Sequence, residues 1–340
     1  MTKRANIQLL IVNYPGAMQS AIIGLKELFM LANQLIMKFT ADSQYQSEIN
    51  SGQKPKFGTR FEVDSIDRDI WLSQGVQEKT AVHSKAHVIV LPPSIEGEYF
   101  INPDTSLMQW LVQQHQQGSI ICSACAGSFV IAAAGLLDHR AATTHWDLAG
   151  MLAKQFPKVK VNSEKILIND GDIITAGGLM SWIDLGLELV AQFTQPVIMR
   201  QLGKYLIVDT GPREQSYYQS FKPILDHGDK IILKIQHFIQ ANFQQPLSIA
   251  KLAQQCHLTE RTFLRHFFTA TGIKPNAYIQ RLRIQKACDL LETTAFTFET
   301  ISLKVGYEDT SACRKAFVKI TGLTPKAFKR RFSRTAELKI

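Results

Sequence analysis

Phe267-Phe-Thr-Ala-Thr-Gly-Ile-Lys-Pro-Asn-Ala-Tyr278 returns fifty residues later as Phe317-Val-Lys-Ile-Thr-Gly-Leu-Thr-Pro-Lys-Ala-Phe328. Phe, Thr-Gly, Pro and Ala stand in register, and Ile/Leu and Tyr/Phe are close exchanges. Each copy follows a short apolar helical pattern and a tight turn. Before the first these are Ile249-Ala-Lys-Leu-Ala-Gln-Gln-Cys256 and His257-Leu-Thr-Glu260; before the second, Ile301-Ser-Leu-Lys-Val305 and Gly306-Tyr-Glu-Asp309. Helix, turn and a second helix that carries Arg and closes on Thr-Gly is the pattern of a helix-turn-helix. A solenoid needs three or more such units to bury a continuous core, so the repeat is read as a pair of modules, about 247–275 and 298–328. Between them Ala277, Tyr278, Leu282, Ile284, Ala287, Leu290 and Leu291 keep a helical period, which predicts one bridging helix over 276–292.

Charge follows the repeat. Residues 211–340 hold 21 Lys/Arg against 10 Asp/Glu, whereas residues 1–210 hold 17 against 19, so the net +9 of the chain comes from its last third. Basic charge confined to one segment is the footprint of a polyanion binder. A merely solvated basic face or a patch for acidic lipid is the competing explanation, and the double helix-turn-helix disfavours it. In the first recognition helix, Phe263 and Phe267 sit four apart and are expected inward, which turns Arg261, Leu264 and Arg265 outward. In the second, Phe317 packs inward while Thr310, Ser311, Arg314 and Lys315 face out. Arginine reads guanine bidentately, Ser and Thr read adaptably, and Leu264 can touch a thymine methyl. Taken singly, each is as well explained by a phosphate contact or a bare surface charge. Arg331 is expected to contact phosphate.

Residues 229–332 resemble the DNA-binding domain of AraC/XylS-type transcriptional regulators. The second module carries the most specific part of the likeness: Ile301-Ser-Leu-Lys-Val-Gly-Tyr307, Ser311, Phe317, Thr321-Gly322, Pro325, Phe328 and Arg331-Phe332. Ser302 replaces the usual small Ala, and Lys315 replaces the usual Arg, exchanging a bidentate fork for a point charge. The resemblance implies two recognition helices in successive major grooves, roughly 34 Å apart.

The rest of the chain alternates strand and helix patterns in the doubly wound manner. Ile7–Val12, His87–Leu91 and 119–123 read as buried strands, 165–168 and 172–175 as a hairpin-like pair, and 60–65 as a further strand in a polar tract over 40–85. Helices are expected at Ala21–Asn33, Leu107–Gln117, 127–136 and Trp182–Phe193. Gly118–Leu137 is twenty residues without a charge, long enough to span a bilayer, yet its three glycines and three serines split it into a strand and a helix. With 45% apolar and 20% charged residues the composition is that of a globular protein. Five cysteines, an odd number, do not form a secreted disulfide framework, and the run after Met1-Thr-Lys-Arg is too short for a signal peptide. A cytoplasmic protein without a membrane segment is expected.

Ser123-Ala-Cys-Ala-Gly127 has the small-x-Cys-x-Gly form of a nucleophile elbow, where a helix N-terminus would stabilise a Cys125 thiolate and His145 could serve as base. A buried, inert cysteine fits the spacing equally well. Cys122 and Cys125 form a Cys-x-x-Cys, read as structural more readily than as a redox switch, and with no second ligand pair no metal site is expected.

Residues about 5–195 resemble the ThiJ/PfpI, class I glutamine amidotransferase-like domain in the version found in GlxA-type AraC regulators. The matching motifs are Asn13-Tyr-Pro-Gly16, Glu27-Leu-Phe29, Cys125-Ala-Gly127, Ala132–Asp138, Ala142-Thr-Thr-His-Trp146, Thr175-Ala-Gly-Gly178 and Asp184-Leu-Gly-Leu187. The likeness implies an α/β fold with a flavodoxin-like parallel sheet, followed by an all-α domain of two helix-turn-helix modules. The expected division is a sensor domain over 1–208, a linker over 209–226 and a DNA-binding domain over 227–335. Enzymes of this superfamily set a carboxylate against the elbow cysteine; the matching position is Ala21. Their Gly-Gly pair of backbone donors is here Pro93-Ser94, and proline has no N–H. The resemblance therefore implies a homodimeric regulator, an activator working with RNA polymerase at promoter DNA, rather than an enzyme. A small effector such as an amino acid or amine would be held by Cys125, Ala126, His145, Ser94 and Gly178, with no cofactor. The rival reading is a cysteine hydrolase or amidotransferase-like enzyme on Cys125 and His145; a non-specific nucleoid binder is the third.

Overall fold

A computed structural model describes residues 6–41, 59–68, 86–211 and 213–333. The rest of the polar tract 40–85, namely 42–58 and 69–85, lies outside the described residues. The chain divides into two compact units, Met1–Gln215 and Ser216–Ile340.

In the first unit the strands are β1 (Asn6–Asn13), β2 (Arg60–Asp67), β3 (Val88–Leu91), β4 (Ile120–Ala124), β5 (Ala141–Ala142), β6 (Lys160–Val161), β7 (Leu167–Asn169) and β8 (Ile173–Ala176). Six form one sheet in the order β2-β1-β3-β4-β8-β7, parallel throughout except for β7 against β8; β5 and β6 pair separately. The Val88-Ile-Val-Leu91 run is buried at every position, as a strand covered on both faces must be. The helices are α1 (Gln19–Ala41), α2 (Thr105–Gln116), α3 (Gly127–Ala133), α4 (Ala149–Gln155), α5 (Trp182–Phe193) and α6 (Pro196–Leu206). Strand order runs one way from β1 to β2 and the other way from β3 to β4, so right-handed crossovers put α1 and α2 on opposite faces. α1 packs with α5 and α6, and α2 with α3.

The helix expected over Ala21–Asn33 is longer, because Leu35, Ile36 and Phe39 carry its apolar face onward against the core. Asn33 does not end it: its side-chain amide exchanges two hydrogen bonds with the Phe61 backbone, 2.8 and 2.9 Å, on edge strand β2. By length and composition α1 could cross a membrane, yet Ala21, Leu25, Leu28, Phe29, Ala32 and Ile36 are buried in this unit's core. The uncharged Gly118–Leu137 stretch splits into β4 and α3, both buried. α4 and α6 have no counterpart in the sequence reading; α4 buries only Leu152, too little to show a period.

The second unit comprises α7 (Lys230–Asn242), α8 (Ile249–Gln255), α9 (Glu260–Thr271), α10 (Pro275–Thr293), α11 (Phe298–Lys304), α12 (Thr310–Thr321) and α13 (Pro325–Phe332). The repeated residues do the same work twice. Phe267 and Phe317 are fully buried. The Thr271 and Thr321 hydroxyls reach the carbonyls of Phe267 and Phe317 at 2.7 and 2.8 Å. Gly272 and Gly322 close the helices in the left-handed region, at φ +73° and +72°, where glycine carries no Cβ penalty. Pro275 and Pro325 then open the next helices, where a missing N–H costs nothing. Ser248, Thr259, Thr297, Asp309 and Thr324 accept N–H bonds as side-chain caps. The Thr297 cap starts α11 at Phe298.

Two cores result. Leu252, Phe263, Phe267, Tyr278, Ile279 and Leu282 form one, and Ile284, Ala287, Leu291, Ile301, Phe317 and Phe328 the other. α10 thus serves both modules, and Phe243 packs on both. Gly306 joins α11 to α12 at φ +86°, and a Cβ there would lie 2.6 Å from the Gln244 carbonyl oxygen. At Gly272 the same addition meets nothing within 4 Å. Gly272→Ala is expected to cost only the left-handed strain, roughly 1–2 kcal/mol, and Gly306→Ala more, as measured by urea unfolding of the two variants.

Candidate functional site

In the first unit the site grows from the end of β4. Cys125 adopts φ +53°, a strained region for a residue with a Cβ, and its N–H donates to the Ala176 carbonyl at 2.8 Å. Gly127 completes the elbow, since a Cβ there would lie 2.6 Å from the Leu91 carbonyl oxygen. A chain of hydroxyls fixes the neighbouring strand end. Ser123 Oγ and Ser128 Oγ lie 2.9 Å apart, Ser128 donates to the Thr143 carbonyl at 2.8 Å, and Thr144 donates to the Cys125 carbonyl at 2.7 Å.

The elbow is present, but not the expected thiolate. Burial pushes the Cys125 thiol up to about 11, and the Ala126 and His145 backbone N–H groups only partly offset this. Desolvation of the charged form outweighs the short helix α3 behind it. His145 faces the sulfur with its main-chain N–H, while its ring Nδ1 accepts the Asp147 N–H at 3.1 Å. The His145 group recorded against the sulfur is thus its main chain rather than its ring. Ala21 is fully buried and Glu27 is exposed on α1. Among the described residues no carboxylate contributes to the surroundings of the thiol; the other titratable group coupled to it is the buried Tyr14. Tyr14 donates to the Pro92 carbonyl at 2.5 Å and stacks on Tyr99. Cys122 is fully buried, its thiol pushed far up by burial alone.

The remaining expected ligand residues are less accessible than their positions imply. The Pro93 carbonyl accepts the Met18 N–H at 2.7 Å, and the Ser94 hydroxyl donates to the Gly16 and Glu96 carbonyls, each at 3.1 Å. Ala126 is buried, and Gly178 is half-buried ahead of α5. Two hollows of this unit do not include Cys125 in their lining. One of about 320 Å³ lies between α2 and α3; the other, of about 210 Å³, lies among β7, α5 and α6 beside the Arg213–Asp184 ion pair.

Gln215 is the residue that sequence reasoning missed. Read as linker, it is 3% exposed and enters the strand-end network. Its amide N–H groups donate to Thr143 Oγ1 and to the Thr144 and Lys165 carbonyls at 2.9–3.0 Å, and its Oε1 accepts the Trp146 N–H at 3.1 Å. Gly177 makes room for it, because a Cβ there would lie 1.9 Å from the Gln215 amide nitrogen. Trp182, at the start of α5, was also missed. Its ring fills the space left by the absent side chain of Gly24, and its buried indole N–H has no hydrogen-bond partner among the described residues.

In the second unit the recognition faces fall as the spacing requires. Phe263 and Phe267 are buried in α9, and Arg261, Leu264 and Arg265 are exposed. Cys313, Ala316 and Phe317 are buried in α12, Ser311, Arg314 and Lys315 are exposed, and Thr310 is half-buried. The outward stripe of each helix continues one turn further than expected, to the exposed apolar residues Phe268 and Val318. The signal was available, since 261, 264, 265 and 268 follow the helical period. Arg314 lies over the Phe298 ring at 5.0 Å and 3.5 Å from Glu299. Arg331, expected to contact phosphate, is exposed on α13. Its guanidinium sits over both Tyr217 and Tyr218, at 5.5 and 5.4 Å, and donates to the Tyr218 hydroxyl at 2.8 Å, so it is engaged with the protein itself.

Two outcomes test the first site. Since its raised pKa leaves Cys125 protonated at neutral pH, iodoacetamide at pH 8 is expected to label half-buried Cys256 first. Cys125 labelling should accelerate only as pH approaches about 11, as peptide mass spectrometry would show; rapid labelling at pH 7 would contradict the assignment. Gln215→Ala removes the donor to two carbonyls and is expected to cost roughly 1–3 kcal/mol in urea unfolding.

Comparison with known proteins accords with both units. Residues 53–192 match the DJ-1/PfpI family and residues 252–331 a helix-turn-helix domain. The HTH-type transcriptional regulator CdhR of Pseudomonas aeruginosa is 29% identical over 215 residues, 62% of this chain and 63% of that protein. GbdR of the same species, also an HTH-type transcriptional regulator, is 23% identical over 271 residues, 78% of this chain and 74% of its own length. GlxA of Rhizobium meliloti, of the same description, is 25% identical over 211 residues, 61% of this chain and 64% of that protein. The chain thus spans somewhat less than two thirds of CdhR and GlxA. It carries a DJ-1/PfpI domain and an AraC-type helix-turn-helix domain, and it is similar to these HTH-type transcriptional regulators.

Proposed function

We propose that the chain is a cytoplasmic, sequence-specific regulator that reads promoter DNA with α9 and α12 and responds to a small molecule through its first unit. The observation that carries this is the duplicated module. Two helices of the same length, each with a buried Phe pair or Phe–Ala seam, turn basic and hydroxyl side chains outward on the segment that holds the excess positive charge. Arg261, Arg265, Arg314 and Lys315 are the proposed hydrogen-bonding readers, Thr310 and Ser311 the adaptable ones, and Leu264, Phe268 and Val318 the apolar contacts to thymine methyls.

The effector site is proposed at the strand ends around Cys125, Ala126, His145, Ser94 and Gly178, where a small ligand would compete with or complete the Gln215 network. An effector acts only through differential affinity for two states of the protein. A small amino acid or amine is the proposed class. Homodimerisation, activation and engagement of RNA polymerase complete the reading. A buried thiol with no carboxylate and a ring held by Asp147 supports a binding site over hydrolase chemistry.

The test is a gel-shift titration of the upstream region of its own gene against random DNA over a salt series. A clear preference for the upstream region is expected, with the slope set by the number of phosphates neutralised. Equal affinity for both DNAs would sink the proposal. Arg265→Ala should cost roughly 1–3 kcal/mol and relax preference at one base pair, whereas Arg331→Ala, held by two tyrosines, should change DNA affinity little.

A further inference from the structure

One residue in the middle of the shared helix reaches both modules. α10 gives Tyr278, Ile279 and Leu282 to the first core and residues from Ile284 onward to the second; Arg283 stands at the changeover. Its Nε donates to the Phe243 carbonyl at 2.7 Å and its Nη2 to the Gln245 carbonyl at 2.8 Å. These carbonyls follow the end of α7, where backbone oxygens lack helical partners and favour a cation. The same guanidinium lies 5.6 Å from the centre of the Tyr307 ring, in the turn of the second module. Beside it the Gly306 backbone presses on the Gln244 carbonyl, closely enough that no side chain fits. One planar cation therefore joins the segment that follows the first module's supporting helix to the turn that aims α12.

We propose that Arg283, with Tyr307 and Gly306, is a positioning junction that fixes the phase of α12 against α9, and so fixes the separation of the two half-motifs the protein accepts on DNA. This rests on the reading above, that both helices enter DNA. One base pair of slip moves a half-motif by about 3.4 Å and turns it by roughly 35° about the duplex axis. The fork-and-stack geometry of an arginine adds a tie across the changeover beside the continuous helix and the Phe243 contact, and a lysine cannot reproduce it.

The experiment is selection from random-sequence DNA by the full chain, with sequencing of the bound fraction, for wild type, Arg283→Ala, Tyr307→Leu and Tyr307→Phe. Circular dichroism checks that each variant is folded. Wild type is expected to enrich two distinct half-motifs at one separation, near 10–10.5 base pairs. Arg283→Ala and Tyr307→Leu should enrich the same half-motifs over several separations. Their discrimination against a one-base-pair shift should fall from about tenfold to under about threefold. Tyr307→Phe keeps the ring and should behave as wild type; if Arg283→Ala fails to fold, the two tyrosine variants decide. A purely structural junction would weaken every site alike and leave the separation unchanged, which overturns the proposal. So does a wild type that enriches one motif only. A wild type that enriches no sequence overturns the regulator reading itself, and the two failures are thereby told apart.

Discussion

Buried backbone groups must find hydrogen-bond partners, and at several points where its regular structure stops this chain meets that demand with side chains. Asn33 pairs with the backbone of edge strand β2. Gln215 fills the strand ends around Thr143–Trp146. Thr271 and Thr321 bind the last turns of α9 and α12, and Arg283 takes the carbonyls beyond α7. Where the bond is buried, as at Gln215, Thr271 and Thr321, removing the side chain leaves an orphaned group away from water, a larger loss than the bond itself contributes. Cores of small modules can be modest because these bonds leave few alternatives to the native path.

The same desolvation explains the state of the elbow. The turn at Cys125 retains the shape that in a hydrolase lifts a nucleophile above a sheet. Shape alone does not ionise a thiol; that needs a nearby cation, a long helix dipole or solvent. Here burial dominates, the acid position is Ala21, and the Ser94 hydroxyl is engaged with the Gly16 and Glu96 carbonyls. What persists is a rigid, hydrogen-bonded strand end.

The repeat was legible because each of its residues acts locally, Phe in the core, Thr-Gly at the helix end and Pro at the next start. The faces of α9 and α12 followed from spacing alone. The reading stopped where partners are distant in sequence. The role of Asn33 within α1 depends on Phe61, 28 residues away, that of Gln215 on partners 50 to 72 residues away, and that of Arg331 on Tyr218, 113 residues distant. A basic residue beside a recognition helix looks like a phosphate contact until its tyrosines are seen. The elbow could be located from small residues, but the protonation of its thiol depends on packing that no local pattern encodes.

The outward stripes of the two modules share a scaffold but not a chemistry. Arg261, Leu264, Arg265 and Phe268 stand on α9, and Ser311, Arg314, Lys315 and Val318 on α12. If both stripes enter DNA as proposed, each module is matched to a different word, so the site that one chain covers is not the same word written twice.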